Sequence, residues 1–154
     1  DRCLSRGLGD VYKRQADYLR GQKADVKIGI ADPPGAALYE YYKNGELKSD
    51  GSSITEGIGQ GRITANLEGL DIDYPYHIPD AESLQAAFDL LKYEGLALGS
   101  SSGVNVAGAI RLAKDMGPGH TIVTILCDGA AKYQSKMFNR DFLEEKGLPV
   151  PDWL

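Results

Sequence analysis

The sequence predicts an α/β protein with a mostly parallel sheet that helices cover on both faces. Three short runs indicate strands, at residues 26–31, 73–78 and 120–127, and the last is β-branched and apolar almost throughout. A shorter apolar run at residues 96–98 leads into a glycine–serine turn. Stretches with helical spacing of apolar residues lie between these runs, and such alternation is typical of parallel sheets with helical crossovers.

The predicted helices begin and end at residues that favour helix boundaries. A short helix over residues 36–42 follows a Pro-Pro-Gly turn. The next is expected to be capped by Asp80 and to end before Gly95, and a third, capped by Ser101 or Ser102, is stopped by Gly117. The apolar stripe of the second helix comprises Leu84, Ala87, Phe88 and Leu91. A C-terminal segment is expected to pack back through Phe138, Phe142 and Leu143.

Residues 1–15 differ from the rest of the chain. They are basic, lack clear periodicity and lack the apolar centre of a signal peptide. We therefore predict a foreign or disordered leader over residues 1–15 and one structural unit over residues 16–154. Residues 16–20 resemble the tail of a helix that Gly21 closes.

Composition and charge exclude several classes of function. The chain has 154 residues, 42% of them hydrophobic, and a net charge of −5 without a basic block, which argues against a nucleic-acid partner. No apolar run approaches the ~20 residues of a membrane span. Cys3 and Cys127 do not indicate a disulfide framework, so a cytoplasmic location is expected. With only His77 and His120 as imidazoles, no metal site is predicted.

The turn from Gly99 to Gly103 carries the main candidate site. It presents Ser100, Ser101 and Ser102 between a predicted strand and a helix N-terminus, whose free N–H groups suit an anion or a polar ring atom. The simpler interpretation is a helix cap in a Gly/Ser turn. A hydrolase nucleophile is a weaker alternative, because His120 precedes Asp128 and the order of hydrolase residues requires the acid first.

A second candidate is the Gly-rich stretch over residues 55–66. Glycines at alternate positions, 57, 59 and 61, predict a flexible loop that could close over a ligand. Glu56 is the charged residue of this loop that we single out as a candidate site residue. Asp128 follows a predicted strand and could be a general acid, an ion-pair partner or, more simply, a turn cap. Arg62 and Lys132 could hold anionic groups or be solvated.

Taken together, these motifs resemble the C-terminal part of cysteine synthases (O-acetylserine sulfhydrylases). These are fold-type II enzymes of the tryptophan-synthase-β-like family, which use pyridoxal phosphate. The matching motifs include Glu-Gly-Ile-Gly at residues 56–59 and Gly-Ser-Ser-Ser-Gly at residues 99–103. Further matching stretches lie at residues 28–33, 94–98, 117–128, 134–139 and 146–154.

The resemblance implies roles for both candidate sites. Ser101 corresponds to the serine that hydrogen-bonds the pyridine nitrogen of the cofactor, with Gly99, Ser100 and Ser102 beside it. A neutral hydroxyl there does not force protonation of the ring nitrogen, which favours β-elimination and β-replacement. The loop of Glu56, Gly57, Ile58 and Gly59 corresponds to the one that closes against the substrate.

The sequence also departs from the family pattern. The Schiff-base lysine, a cofactor-contacting asparagine, the substrate loop and the phosphate loop of the family all lie upstream of the match. No catalytic residue is therefore assigned, and the isolated chain is expected to be inactive. Near the C-terminus the family tends to show Asp-x-Gly-x-Arg-Tyr, whereas residues 128–133 read Asp-Gly-Ala-Ala-Lys-Tyr. Lysine lacks the planar guanidinium group with which arginine can form two parallel hydrogen bonds to one partner.

The resemblance implies that the parent enzyme makes L-cysteine from O-acetyl-L-serine and sulfide, as a cytoplasmic homodimer with a small amino-acid substrate. A cysteine desulfhydrase and a cystathionine β-synthase-like lyase are alternatives on the same architecture. A non-catalytic binding module, which would use the Gly-rich loop for a partner's peptide terminus, is an alternative of a different class.

Overall fold

The computed structural model describes residues 8–64 and 67–154. Helices and short strands alternate over its first half, and the second half is helical or irregular. The elements are α1 (Leu8–Gln22), β1 (Gly29–Asp32), α2 (Leu38–Asn44), β2 (Tyr74–His77), α3 (Asp80–Glu94), α4 (Ser100–Met116), a 3₁₀-helix (Ala130–Tyr133) and α5 (Arg140–Glu145). Within the described residues, no helix combines the length and the apolar character that crossing a membrane requires.

The sheet consists of β1 and β2, which pair in parallel with Gly29 opposite Tyr74 and Asp32 opposite His77. The α/β class with parallel pairing is thus confirmed; β2 lies within its predicted run, and β1 extends one residue beyond its run, to Asp32. Asp32 ends β1 in a buried position, where its carboxylate accepts from the Tyr39 backbone N–H at 2.9 Å. Burial raises the pKa of this carboxyl, while the N–H donors at the start of α2 act in the opposite direction.

The strand predicted over residues 120–127 is wrong for this structure. The segment is extended but pairs with no other strand among the described residues, and Val123 is 83% exposed. The predicted run at 96–98 contributes one isolated antiparallel bridge, between Leu98 and Gly129. A strand forms only where a neighbouring strand supplies hydrogen-bond partners for its backbone. A β-branched, apolar composition favours a strand but does not supply that neighbour.

Helices α3 and α4 pack closely against each other. The Cα of Gly103 lies so near the Ser83 carbonyl that a Cβ at position 103 would overlap its oxygen and lie 3.0 Å from its carbon. The predicted caps are not found: Pro79 and Gly99 occupy the N-cap positions, and neither helix has a side-chain cap. Asp80 and the three serines are instead inside the first turns of their helices.

The core lies in three clusters, two of which include residues of α3 or α4. The largest comprises Leu84, Ala87, Phe88, Tyr133, Met137 and Leu143, with Phe138 and Phe142 packed against it. The C-terminal segment therefore packs back onto α3, as the apolar pattern predicts. Trp153 extends this packing, with its ring edge-on to Phe88 at a centroid distance of 5.6 Å.

Helix α1 begins at Leu8, which is earlier than the predicted boundary between residues 15 and 16. The helix tail expected at residues 16–20 is its C-terminal part. Residues 1–7 of the predicted leader lie outside the described residues, and the division of the chain at residue 15 stays a prediction. Asp73 ties this helix to the sheet, since its carboxylate accepts from Arg20, Lys27 and the Ile28 backbone N–H, each at 2.9 Å.

Candidate functional site

The serine turn begins with an extended glycine and passes directly into α4. Gly99 has φ −73° and ψ 167°, and its N–H donates to the Asp128 carbonyl at 2.9 Å. Ser100, Ser101 and Ser102 form the first turn of the helix and are 1%, 6% and 0% exposed. Three buried hydroxyls thus lie where the N–H groups of the helix start are still free.

The three hydroxyls have different partners. Ser102 Oγ accepts from the Cys127 backbone N–H at 2.9 Å and so holds the extended segment against α4. Ser100 Oγ is buried without a hydrogen-bond partner among the described residues. Ser101 makes no side-chain hydrogen bond within the described part of the chain and keeps some exposure. Ser100 and Ser101 are therefore the two hydroxyls of the turn without a hydrogen-bond partner among the described residues, whereas Ser102 is bonded to the Cys127 backbone.

Tyr133 and Asp128 pack against the turn from the C-terminal side. A Cβ at position 99 would overlap the Tyr133 ring and lie 2.6 Å from Asp128 Oδ1. Glycine is required at position 99 because no side chain fits between these groups and the start of α4. The extended segment, the 3₁₀-helix and the serine turn consequently meet at one point.

Asp128 is an ion-pair partner in this structure. Its Oδ2 accepts from Lys132 Nζ at 3.0 Å and from the Tyr133 hydroxyl at 2.9 Å. These donors, Lys132 first, lower the pKa of the Asp128 carboxyl, so it is ionised near neutral pH and is not a general acid. Burial and the bond to Asp128 raise the pKa of Tyr133. Oδ1 of Asp128 is buried without a partner among the described residues.

The Gly-rich loop is fastened on the same side of the fold. Glu56 forms an ion pair with Lys136, and the Ala37 N–H donates to the Gln60 carbonyl at 2.7 Å. Ile58 packs against the cluster that contains Val104, one turn into α4. Gly59 has a positive φ of 92° and lies against Pro33 and Ala36, where a Cβ would be crowded.

The two predicted sites are neighbours. The negative charge of Glu56 contributes to the raised pKa of Tyr133, and Tyr133 packs against the serine turn. Sequence reasoning missed Tyr133 and Lys136 as members of this neighbourhood. The signal for Tyr133 was present in the Asp-x-x-x-x-Tyr spacing of residues 128–133. Lys136, by contrast, is recognisable only from its contact with the loop. The structure describes no group of three His, Cys, Asp or Glu side chains that could bind a metal within residues 8–64 and 67–154.

Comparison with known proteins places this arrangement in a family. The family model described as "Pyridoxal-phosphate dependent enzyme" matches residues 12–128. Cysteine synthase 1 of Neurospora crassa is 43% identical over 96% of this chain and 41% of its own length. Cysteine synthase 1 of Emericella nidulans is 46% identical, over 94% of this chain and 40% of its own.

A solved structure has the same fold. The O-acetylserine dependent cystathionine β-synthase from Helicobacter pylori superposes with a TM-score of 0.74 at 33% identity. The match covers 84% of this chain and 40% of that one. The chain therefore spans about two fifths of the length of the relatives it matches. With a family match over most of its residues and a shared fold, this chain belongs to the pyridoxal-phosphate dependent enzymes.

Proposed function

We propose that this chain forms the C-terminal part of a cysteine synthase, which makes L-cysteine from O-acetyl-L-serine and sulfide by β-replacement. The observation that carries the proposal is that the Ser100 and Ser101 hydroxyls at the start of α4 have no partner among the described residues, while Ser102 is bonded to the Cys127 backbone. Of these two, the resemblance assigns Ser101 to the cofactor. The similarity to two fungal proteins named cysteine synthase 1 supports the choice of reaction.

The residues of the turn fit the ring end of pyridoxal phosphate. Ser101 would bind the pyridine nitrogen, and Ser100 would contribute a second buried hydroxyl without a protein partner. Gly99 would contribute backbone only, because Tyr133 and Asp128 fill the space that a side chain there would need. When bound, this cofactor supplies an electron sink for the bond changes at the substrate. Because a serine hydroxyl is neutral, it orients the ring without forcing a positive charge onto its nitrogen.

The Gly-rich loop would cover the amino-acid substrate. Glu56, Gly57, Ile58 and Gly59 form the loop tip, and a Cβ at Gly57 would meet no atom within 4 Å. Such a tip has room to move, whereas Ile58 brings its apolar side chain to the cluster beside α4. Closure of a loop of this kind excludes water and completes a site around the substrate.

A cystathionine β-synthase-like reaction is the second candidate, and the superposition on the Helicobacter pylori enzyme favours it. The two reactions share the leaving group of an acylated serine and differ in whether sulfide or an amino-acid thiol attacks. We further propose a homodimeric parent in the cytoplasm. The resemblance supports both points, and the net charge of −5 argues against a nucleic-acid partner.

A titration of the purified chain with pyridoxal phosphate tests the proposal. We expect reversible binding by equilibrium dialysis and no stoichiometric adduct on a single lysine after borohydride reduction, because no lysine of this chain is assigned to the Schiff base with the cofactor. Ser101→Ala should weaken binding by about five- to ten-fold, the value of one hydrogen bond. Ser135→Ala, a change at an exposed serine, serves as the control.

Two results would contradict the proposal. Equal affinity of the Ser101→Ala and Ser135→Ala variants would remove the role of Ser101. A stoichiometric adduct on one lysine would mean that this chain contains the complete cofactor site, contrary to the assignment.

A further inference from the structure

We propose that Lys136 is a positioning residue that holds the tip of the Gly-rich loop over the site through Glu56. The role rests on the proposed function, because that function gives the loop its task. Lys136 touches neither the serine turn nor any group assigned to the cofactor. Its effect would reach the substrate only through the position of the loop.

The backbone at Lys136 is hydrogen-bonded and lies beside the core. The Lys136 N–H donates to the Tyr133 carbonyl at 3.1 Å, and the next residue, Met137, is 1% exposed within the main core cluster. Lys136 therefore extends from a fixed point of the fold toward the loop. Its Nζ pairs with Glu56 Oε1, which joins two segments that are 80 residues apart in the sequence.

The loop is also fastened on either side of Glu56. Before it, Asp80 accepts from the Ile54 N–H at 2.8 Å and from the Ser53 hydroxyl. After it, the Gln60 carbonyl accepts from the Ala37 N–H at 2.7 Å. Between these anchors, Glu56 makes the one ion pair described for the loop, and the neighbouring Gly57 has a positive φ of 74° and open space around it.

The strength of the contact suits a reversible closure. Side-chain exposure is 38% for Lys136 and 57% for Glu56, so water and salt screen the pair. Exposed pairs of this kind shift an equilibrium by about two- to five-fold. The Lys136–Glu56 pair can therefore bias the loop toward the site without preventing it from opening for substrate and product.

Hydrogen exchange of the loop amides tests the role without using activity. In the Lys136→Met variant, exchange of the Ile54, Thr55 and Ala37 amides, whose hydrogen bonds fasten the loop, should rise about two- to five-fold, while exchange in the interior of α3 stays unchanged. Lys136→Arg should keep the wild-type rates because it keeps the charge. Lys114→Met is the control, since Lys114 is exposed on α4, away from the loop, and makes no ion pair within the described residues.

Salt and charge reversal make the test specific. Raising the salt concentration should speed loop exchange in the wild type but not in Lys136→Met, because only the former has a charge contact to lose. The double variant Glu56→Lys/Lys136→Glu should restore slow exchange. Unchanged exchange of these amides in Lys136→Met, or an equal rise in Lys114→Met, would overturn the role.

The outcome separates this role from the proposed function. Exchange is measured without cofactor, so a selective rise in Lys136→Met establishes the loop contact even when the chain fails to bind pyridoxal phosphate. Conversely, cofactor binding that depends on Ser101, together with unchanged loop exchange, supports the proposed function and removes the role of Lys136.

Discussion

Replacement of Gly103 by alanine should destabilise the protein, although alanine is the better helix former. The new methyl group would overlap the Ser83 carbonyl oxygen and lie 3.0 Å from its carbon and 3.2 Å from Ala87 Cβ. The new methyl group is attached to the backbone of α4 and meets the backbone of α3. Because neither can rotate away, the two helices must move apart. Overpacking of this kind costs about 1–3 kcal/mol, and the backbone contact favours the upper end. The gain of about 1 kcal/mol in helix propensity leaves a net loss of about 2 kcal/mol.

Urea unfolding followed by far-ultraviolet circular dichroism measures this loss. At an m-value of about 2 kcal/mol/M, the midpoint should fall by about 1 M. Gly21→Ala is the matched control, because Gly21 also lies in a helix but a Cβ there would meet no atom within 4 Å. It should leave the midpoint unchanged or raise it slightly. A Gly103→Ala midpoint equal to or above that of Gly21→Ala would refute the close contact between α3 and α4.

Two further predictions concern the surroundings of the serine turn. Ser102→Ala removes the acceptor of the Cys127 N–H, so the free energy of unfolding should fall by about 1 kcal/mol and the Cys127 amide should exchange faster; an unchanged exchange rate would mean that this bond is not formed in solution. The pKa of Asp128 is lowered by Lys132 and Tyr133, so its stabilising contribution is complete above its ordinary value of 3.8 and is lost as the pH falls through the lower folded-state value. Asp128→Asn should therefore reduce the loss of stability between pH 5 and pH 2, and an acid unfolding curve that is identical to the wild type would contradict this.

Helices α2, α3 and α4 were predictable because their signals are local, whereas the first half of α1 falls in the predicted leader and α5 was not predicted as a helix. The spacing of Leu84, Ala87 and Phe88 identifies the buried face of α3, and glycines mark the ends of α3 and α4. The caps were not predictable, because the side chain of a serine or aspartate at a helix start can accept a hydrogen bond either from the first N–H groups of the helix or from another segment. Asp80 accepts from the loop at Ser53 and Ile54, and that choice depends on a segment about 26 residues away.

The candidate site was predictable in outline for the same reason. Residue types and local spacing identify the serine turn and the Gly-rich loop. They do not reveal which of the three hydroxyls is bonded to the protein, because that depends on the contact of Ser102 with Cys127. The partners of Asp128 are local, four and five residues along the chain, so an ion pair was among the predicted options, but spacing alone did not decide between it and the alternatives. The strand predicted over residues 120–127 fails on the same ground, since its pairing depends on groups that its own composition cannot supply.

The extended segment over residues 121–127 has a consequence for handling the protein. Asn105 and Ser102 side chains bind one of its edges, at the Ile125 carbonyl and the Cys127 N–H. The backbone groups of Leu126 on the opposite edge have no hydrogen-bond partner among the described residues. The segment contains no charge and no proline, the two features with which natural proteins block edge-to-edge association. A second molecule could pair with this edge as an added strand, so aggregation should accelerate steeply with protein concentration. A charged residue substituted on this edge should slow the aggregation.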